Sequence, residues 1–224
     1  MQDTQNELGI LAPYVQKEFP QLILANRFDY TIQNIKYLLP KPIQALKAVC
    51  IMTAAYGQGE GNYDWAFPQD INPLAHIGLN LDLYDVAGKT EEEVRQKLDG
   101  VEIIIVTGGD TYYLLKHLRA CGFEKILREK LAQGVIYLAS SAGAIVCCPD
   151  IDYIAPMDNP LKAGITEFKG MGLVDFFLVP HLNHPHLAGA ANVIMQNCLG
   201  QNRLTIGLLD EQFILVNKNV IKIV

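Results

Sequence analysis

The stretch that decides the fold is VEIIIVTGGDTYYLLKHLRACGFEKILREKLAQGVIYLAS, residues 101–140. Its first nine residues, 101–109, are mostly β-branched and apolar and predict a buried strand. Residues 110–134 predict helix that ends at Gly134, and VIYLAS at 135–140 predicts a second strand. A strand, a helical connection and another strand form a βαβ unit, in which the two strands run parallel.

The same alternation continues on both sides of this unit. Further strands are predicted at 22–26, 47–55, 78–86, 175–181 and 203–210, and helices at 30–39, 89–98 and 187–199. Residues 213–224 predict an antiparallel hairpin around Asn217 and Asn219. We therefore expect an α/β fold in which one mostly parallel sheet carries helices on both faces, as three α/β/α layers, with residues 1–20 as an N-terminal extension.

Composition narrows the class of protein. The 224 residues are enough for a single domain over 1–224, and half of them are apolar. The chain has 18 basic and 24 acidic residues and no basic run, which argues against nucleic-acid binding. It also lacks an apolar run near ~18 residues and a signal-peptide pattern, so we expect no membrane span. Five cysteines without framework spacing favour a reduced, cytoplasmic protein, with Cys147 and Cys148 as packing residues.

In parallel α/β sheets, ligands bind beyond the carboxyl ends of the strands. The segments that this rule selects are Ala55–Gly59, Thr107–Thr111, Ser140–Ala144, Pro180–His184 and Leu209–Glu211. Within them Ser141 has the surroundings of a nucleophile on a sharp strand-to-helix turn, because the residues at 139 and 142–144 are all alanine or glycine. The match to G-x-S-x-G is partial, since Ala139 takes the first glycine position. A helix N-cap or packing role is the alternative.

Two further strand ends carry groups that a serine nucleophile needs. TGGDT at 107–111 has two glycines that allow an exposed N–H to stabilise an oxyanion; the alternative is a plain turn capped by Asp110 or Thr111. IGLLDEQ carries Asp210 and Glu211, which are either an acid that orients a histidine or two carboxylates of a surface turn.

The histidine-rich segment VPHLNHPH, residues 179–186, offers the base. His181 follows the strand directly, and imidazole titrates near neutral pH. A metal site of His181, His184 and His186 is the weaker interpretation, because no Cys or Glu lies nearby in sequence to complete it. We expect His184 and His186 to be solvated loop residues.

Together the segments VTGGDT, SSAGA, VPH and IGLLDEQFILV resemble the serine peptidase family that includes aspartyl dipeptidase (peptidase E) and cyanophycinase. The resemblance implies a fold like that of class I glutamine amidotransferases, with serine in place of their nucleophilic cysteine. It also implies Ser141 as nucleophile, His181 as base and the N–H groups of Gly109 and Ala142 as the oxyanion hole. The acid that it implies is Asp210, where the family has Glu.

The shorter side chain of Asp210 leaves Glu211 and Asp158 as alternative acids. Gly108 and Asp110 are expected to contact substrate. No metal or organic cofactor is required for such a triad.

We therefore expect a serine hydrolase that cleaves short peptides through an acyl-enzyme. The alternatives are an esterase or amidase acting on a small non-peptide substrate, and a catalytically silent metabolite-binding protein of the same fold. The expected partner is a small peptide, with no nucleic acid or membrane, for a monomer or homodimer.

One departure from the family concerns the substrate's side chain. The aspartyl dipeptidases place an arginine in the region of 182–202, and this segment contains no Arg or Lys. Arg203 is expected at the far end of its strand, and Lys162 is the nearest remaining cation. We therefore expect a preference for uncharged N-terminal residues over aspartate.

Overall fold

The computed structural model describes residues 22–40, 42–59, 63–217 and 220–224. The predicted N-terminal extension, residues 1–20, lies outside the described residues, as does Asn219 of the predicted hairpin turn.

The described strands form two sheets. The strands are β1 (Leu22–Ala25), β2 (Lys47–Ile51), β3 (Asn80–Tyr84), β4 (Ile103–Val106), β5 (Ile136–Ser140), β6 (Phe177–Val179), β7 (Thr205–Gly207), β8 (Phe213–Asn217) and β9 (Val220–Ile223). Seven of them make the larger sheet, in the order β3-β2-β4-β5-β1-β8-β9. Strands β1 to β5 run parallel, whereas β8 pairs antiparallel with both β1 and β9. The mostly parallel sheet and the C-terminal hairpin are thus confirmed.

Strands β6 and β7 depart from the expectation of a single sheet. They pair with each other, in parallel, as a separate two-stranded sheet. The reason lies at β1, which already has β5 on one side and β8 on the other. The C-terminal hairpin therefore takes the place beside β1 where a further parallel strand could have paired.

The described helices are α1 (Phe28–Ile35), α2 (Thr53–Tyr56), α3 (Asn72–His76), α4 (Glu91–Lys97), α5 (Thr111–Ala120), α6 (Phe123–Ala132), α7 (Ala142–Ile145), α8 (Pro160–Ala163) and α9 (Ala188–Gly200). A π-helical turn at Phe67–Ile71 precedes α3. The helical region predicted at 110–134 is two helices, because Gly122, with a φ of 66°, interrupts it between α5 and α6. None of the described helices is both long enough and apolar enough to cross a lipid bilayer.

The larger sheet is buried on both faces. All four residues of β4 are buried, and they alternate between two apolar clusters. Ile103 and Ile105 pack in the cluster that contains Phe28 of α1. Ile104 packs in the other cluster, with Leu114 of α5. Because neighbouring residues of a strand point to opposite faces, helices must cover both sides of the sheet, as the three-layer prediction requires.

The strand register aligns the carboxyl ends of the central strands. Ala25 at the end of β1 lies opposite Ser140 of β5, and Val106 at the end of β4 lies opposite Ala139. The segments that follow β1, β4 and β5 therefore leave the sheet at one edge, where a site is expected.

Candidate active site

Ser141 lies on the turn between β5 and α7 in a strained backbone conformation. Its φ is 44° and its ψ is −109°, a combination that residues with a side chain rarely adopt. The turn also passes close to β4: a Cβ added to Gly143 would lie 2.4 Å from the carbonyl oxygen of Val106. The Ser141 side chain makes no capping hydrogen bond to α7. The N-cap alternative therefore does not describe this hydroxyl group.

His181 and Asp210 meet Ser141 from the smaller sheet. His181 follows β6 with a φ of 69°, and Asp210 follows β7. The Oγ atom of Ser141 lies 2.9 Å from Nε2 of His181, and Nδ1 of His181 lies 3.1 Å from Oδ1 of Asp210. His181 is 6% exposed and Asp210 is 5% exposed. The three side chains form a continuous hydrogen-bonded chain in which His181 and Asp210 are buried and Ser141 faces the cavity.

The charge of Asp210 decides the direction of these hydrogen bonds. Burial raises the pKa of Asp210, but the hydrogen bond and charge of His181, with smaller contributions from His184 and Arg27, lower it to below its ordinary value. An ionised carboxylate can only accept, so Nδ1 of His181 donates to it. In the neutral imidazole Nε2 is then the acceptor for the Ser141 hydroxyl, which is the arrangement that a general base needs.

Asp210 is held from the strand end of β1 as well. Asn26 Nδ2 donates to Asp210 Oδ1 at 2.9 Å, and an Arg27 guanidinium nitrogen lies 3.5 Å from Oδ2. The backbone N–H of Asp210 donates to Asn183 Oδ1 at 2.8 Å. The carboxylate is thus fixed in orientation by residues of both sheets.

The two alternative acids lie elsewhere. Glu211 is exposed, and its Oε2 accepts from Asn183 Nδ2 at 3.0 Å. The Oδ2 atom of Asp158 accepts from the backbone N–H of Thr111 at 2.8 Å, and burial raises the pKa of Asp158. Of the three predicted carboxylates, Asp210 is the one with a hydrogen bond to the His181 ring.

The glycines of TGGDT are required by close backbone packing. Gly109 has a φ of 137°, and a Cβ there would lie 2.1 Å from the carbonyl oxygen of Ala54. Gly108 and Gly109 line the same cavity as Ser141, whereas Asp110 does not. The Asp110 carboxylate caps α5 instead, by accepting from the Tyr113 N–H at 2.8 Å. Ala142 is the first residue of α7, so its N–H has no acceptor within that helix. The oxyanion-hole roles of Gly109 and Ala142 remain predictions.

The cavity has a volume of about 380 Å³, within the range of roughly 300–1,000 Å³ typical of small-molecule sites. Among the cavity residues that the sequence did not reveal, three carry polar or charged groups close to the proposed triad. Asn26 and Arg27 follow β1, and applying the strand-end rule to that strand would have found them. Asp70 lies in the π-helical turn, far from Ser140 in sequence, and no local pattern marks it. Its Oδ2 accepts from the Gly108 N–H at 3.1 Å and from the Ser140 hydroxyl at 3.0 Å.

The predicted cations are not part of the cavity wall. Lys162 donates to the Gly57 carbonyl oxygen at 3.1 Å, and Arg203 pairs with Asp152. Arg27 does line the cavity, but its guanidinium is already held by Asp29 and Asp210. The cavity therefore does contain a cation, Arg27, but its charge is largely neutralised by two carboxylates.

The remaining histidines and cysteines form no recognisable metal centre. The His184 ring centre lies 5.4 Å from that of His181 and 6.0 Å from that of His186. In the part of the chain that the structure describes, no three His, Cys, Asp or Glu side chains are grouped as metal ligands. Cys147 and Cys148 are free and buried, and burial raises the pKa of both, that of Cys148 to about 11.

Known peptidases include proteins similar to this chain. The family model for Peptidase family S51 matches residues 24–224. A protein named uncharacterized peptidase from Listeria monocytogenes is 34% identical over 132 residues, which are 58% of this chain and 64% of the relative. Peptidase E of Shewanella sp. is 29% identical over 161 residues, 71% of this chain and 64% of the relative. These matches thus span less than two thirds of each curated relative.

One solved structure matches nearly the whole chain. The crystal structure of a Listeria monocytogenes protein provisionally assigned to peptidase E superposes with a TM-score of 0.81 at 26% identity. The superposition covers 92% of this chain and 98% of that protein. The similarity therefore extends over both sheets of the fold.

Proposed function

Because this chain belongs to peptidase family S51, we propose that it is a serine peptidase that hydrolyses short peptides, with Ser141 as the nucleophile. The observation that carries the proposal is the hydrogen-bonded chain of Ser141, His181 and Asp210, with distances of 2.9 Å and 3.1 Å. The strained turn at Ser141 supports it, since such turns present a nucleophile above a helix N-terminus.

The reaction follows from the direction of these hydrogen bonds. Nε2 of His181 takes the Ser141 proton as Oγ attacks the carbonyl carbon of the peptide bond. The negative oxygen that develops is stabilised by the N–H groups of Gly109 and Ala142. Asp210 stabilises the imidazolium and keeps Nδ1 protonated. His181 then protonates the leaving amine, and a water molecule deprotonated by the same nitrogen releases the acyl group from Ser141.

Asn26 and Arg27 act in this scheme as positioning residues. Asn26 donates to the same carboxylate oxygen that accepts from His181. Arg27 places positive charge beside the other carboxylate oxygen. Both contacts favour the ionised form of Asp210, which the mechanism requires throughout the cycle.

A neighbouring pair of serines provides a matched test. A fluorophosphonate should label Ser141 in the parent protein and in Ser140→Ala, but not in Ser141→Ala. Hydrolysis of a dipeptide library should fall by about 10⁶-fold in Ser141→Ala, as expected for loss of a nucleophile that works as part of a triad. Ser140→Ala should lose no more than about tenfold, the effect of one lost hydrogen bond.

Two results would contradict the proposal. Labelling that survives in Ser141→Ala and disappears in Ser140→Ala would place the nucleophile one residue earlier. Turnover of p-nitrophenyl esters without release of amino acids from any dipeptide would identify an esterase.

A further inference from the structure

The Asp70 carboxylate lies in the wall of the cavity beside the nucleophile, and the proposed mechanism gives it no role. Asp70 is 3% exposed and lines the cavity together with Ser141. A Cβ placed on Gly108 would lie 3.8 Å from Oδ2 of Asp70 and 3.2 Å from Cβ of Ser141. Asp70 and Ser141 therefore approach the same side of Gly108.

The hydrogen bonds of Asp70 use only one of its two oxygens. Both the Gly108 N–H and the Ser140 hydroxyl donate to Oδ2, at 3.1 Å and 3.0 Å. Among the residues that the structure describes, Oδ1 accepts no hydrogen bond. The nearby cation Arg27 pairs with Asp29 and Asp210 instead. A buried carboxylate normally has a counter-ion or donors on both oxygens, so one side of this group is left for a ligand.

We propose that Asp70 binds the α-ammonium group of a substrate with a free amino terminus, so that the enzyme removes the first residue of a short peptide. This inference rests on the proposed function. In such a substrate the ammonium nitrogen is bonded to the Cα next to the carbonyl carbon under attack. The group that binds it must therefore lie beside both the nucleophile and the oxyanion loop.

The contacts of Asp70 meet that requirement. Its two donors belong to Ser140, the residue before the nucleophile, and to Gly108, the residue before Gly109. These fixed donors hold the carboxylate in one orientation before substrate binds, which is the condition for precise recognition. Burial raises the pKa of Asp70 to about 6 despite both hydrogen bonds. An ammonium group would supply the missing charge and the missing donors together.

Asp158 is the rival carboxylate in the same cavity. Its hydrogen bond comes from the backbone of Thr111, two residues beyond Gly109. Asp158 therefore contacts the chain beyond the proposed oxyanion donor Gly109. Asp70 instead accepts hydrogen bonds from the residue before Gly109 and from the residue before Ser141. The isosteric variant Asp158→Asn accordingly serves as the matched control for Asp70→Asn.

The test compares alanine p-nitroanilide with its N-acetylated form, which has the same leaving group and no positive charge. The parent should hydrolyse the free amine with a kcat/KM about 100-fold higher. Asp70→Asn should lower kcat/KM for the free amine by about 100-fold and for the acetylated substrate by less than about threefold. Asp158→Asn should retain the preference of the parent. Alaninamide should inhibit the parent protein, and N-acetylalaninamide should not.

Labelling of Ser141 by a fluorophosphonate reports the nucleophile independently of any amine. Equal hydrolysis of both substrates by the parent would overturn this inference alone. An equal loss on both substrates in Asp70→Asn, with slower labelling, would make Asp70 a structural brace. Loss of the preference in Asp158→Asn would assign the role to that residue. If neither substrate is hydrolysed and Ser141 is not labelled, the proposed function fails and this inference fails with it.

Discussion

Replacing Asp70 by asparagine should raise the stability of the protein relative to the parent as the pH rises. Burial raises the pKa of the Asp70 carboxyl to about 6, although the hydrogen bonds from Gly108 and Ser140 lower it. In an unfolded chain the pKa of aspartate is about 3.9. Between these two pH values the folded state holds a proton that the unfolded state has lost. The contribution of Asp70 to the free energy of unfolding therefore falls as the pH rises.

The two pKa values set the size of the effect. Over the whole titration they correspond to about 3 kcal/mol. About half of this is lost below pH 5, and a rise from there to pH 7.5 removes about 1.4 kcal/mol more. Asparagine at this position cannot titrate, and its amide oxygen can still accept from the Gly108 N–H. The free energy of unfolding of Asp70→Asn should thus gain about 1.4 kcal/mol on that of the parent across this interval.

Urea denaturation of both proteins at the two pH values measures this difference. All other titrating groups are common to parent and variant, so the change in their difference isolates position 70. A difference that stays constant to within about 0.5 kcal/mol would show that Asp70 does not titrate in this range. If the free energy of unfolding of the parent rises relative to that of the variant as the pH rises, the hydrogen-bond donors of Asp70 lower its pKa and the reasoning from burial is wrong.

Two further predictions concern the histidines and the choice of substrate. His184→Ala and His186→Ala should each keep peptide hydrolysis within about tenfold of the parent, because these residues make no hydrogen bond to Ser141. EDTA should have no effect on this activity. Activity that is lost with EDTA and restored by zinc would overturn the serine mechanism. The kcat/KM for Ala-Leu should exceed that for Asp-Leu, because Arg27 is already paired and an unpaired carboxylate entering the cavity costs several kcal/mol. A kcat/KM for Asp-Leu tenfold or more above that for Ala-Leu would mean that Arg27 leaves Asp29 to bind substrate. The variant Lys162→Ala should leave the ratio of the two kcat/KM values unchanged.

The sequence was sufficient for the central fold because the central strands are apolar on both faces. β4 is an uninterrupted apolar run and β5 is apolar up to Ser140, a pattern typical of strands that are covered on both faces of a parallel sheet. The pairing of β6 with β7 could not be predicted in the same way. Both strands are three residues long, and β8, a later segment of the chain, takes the place beside β1. Such competition between distant segments leaves no local pattern.

In the candidate site too, some residues could be predicted from the sequence and others could not. Ser141, His181 and Asp210 were predictable because each follows a strand and carries the chemistry that a hydrolase needs. Asp70 follows no strand and matches no motif, yet it lies against the residue before the nucleophile. Only the folded arrangement of the π-helical turn brings it there.

The division of the site between two sheets has a structural consequence, because the distance between Ser141 and His181 depends on how β6 packs against the larger sheet. Buried side chains that follow α7 fix this packing. The Leu178 N–H donates to Cys148 Sγ at 3.3 Å, and the Tyr153 hydroxyl donates to the Leu178 carbonyl oxygen at 2.6 Å.

On the other side, Asn26 ties the loop after β7 to the end of β1 through Asp210. The buried thiol of Cys148 thus accepts a hydrogen bond from β6, the strand that precedes His181. The thiol is small enough for the dense packing after α7, and its sulfur accepts from the β6 backbone. An aliphatic side chain of similar size would leave the Leu178 N–H buried without a partner.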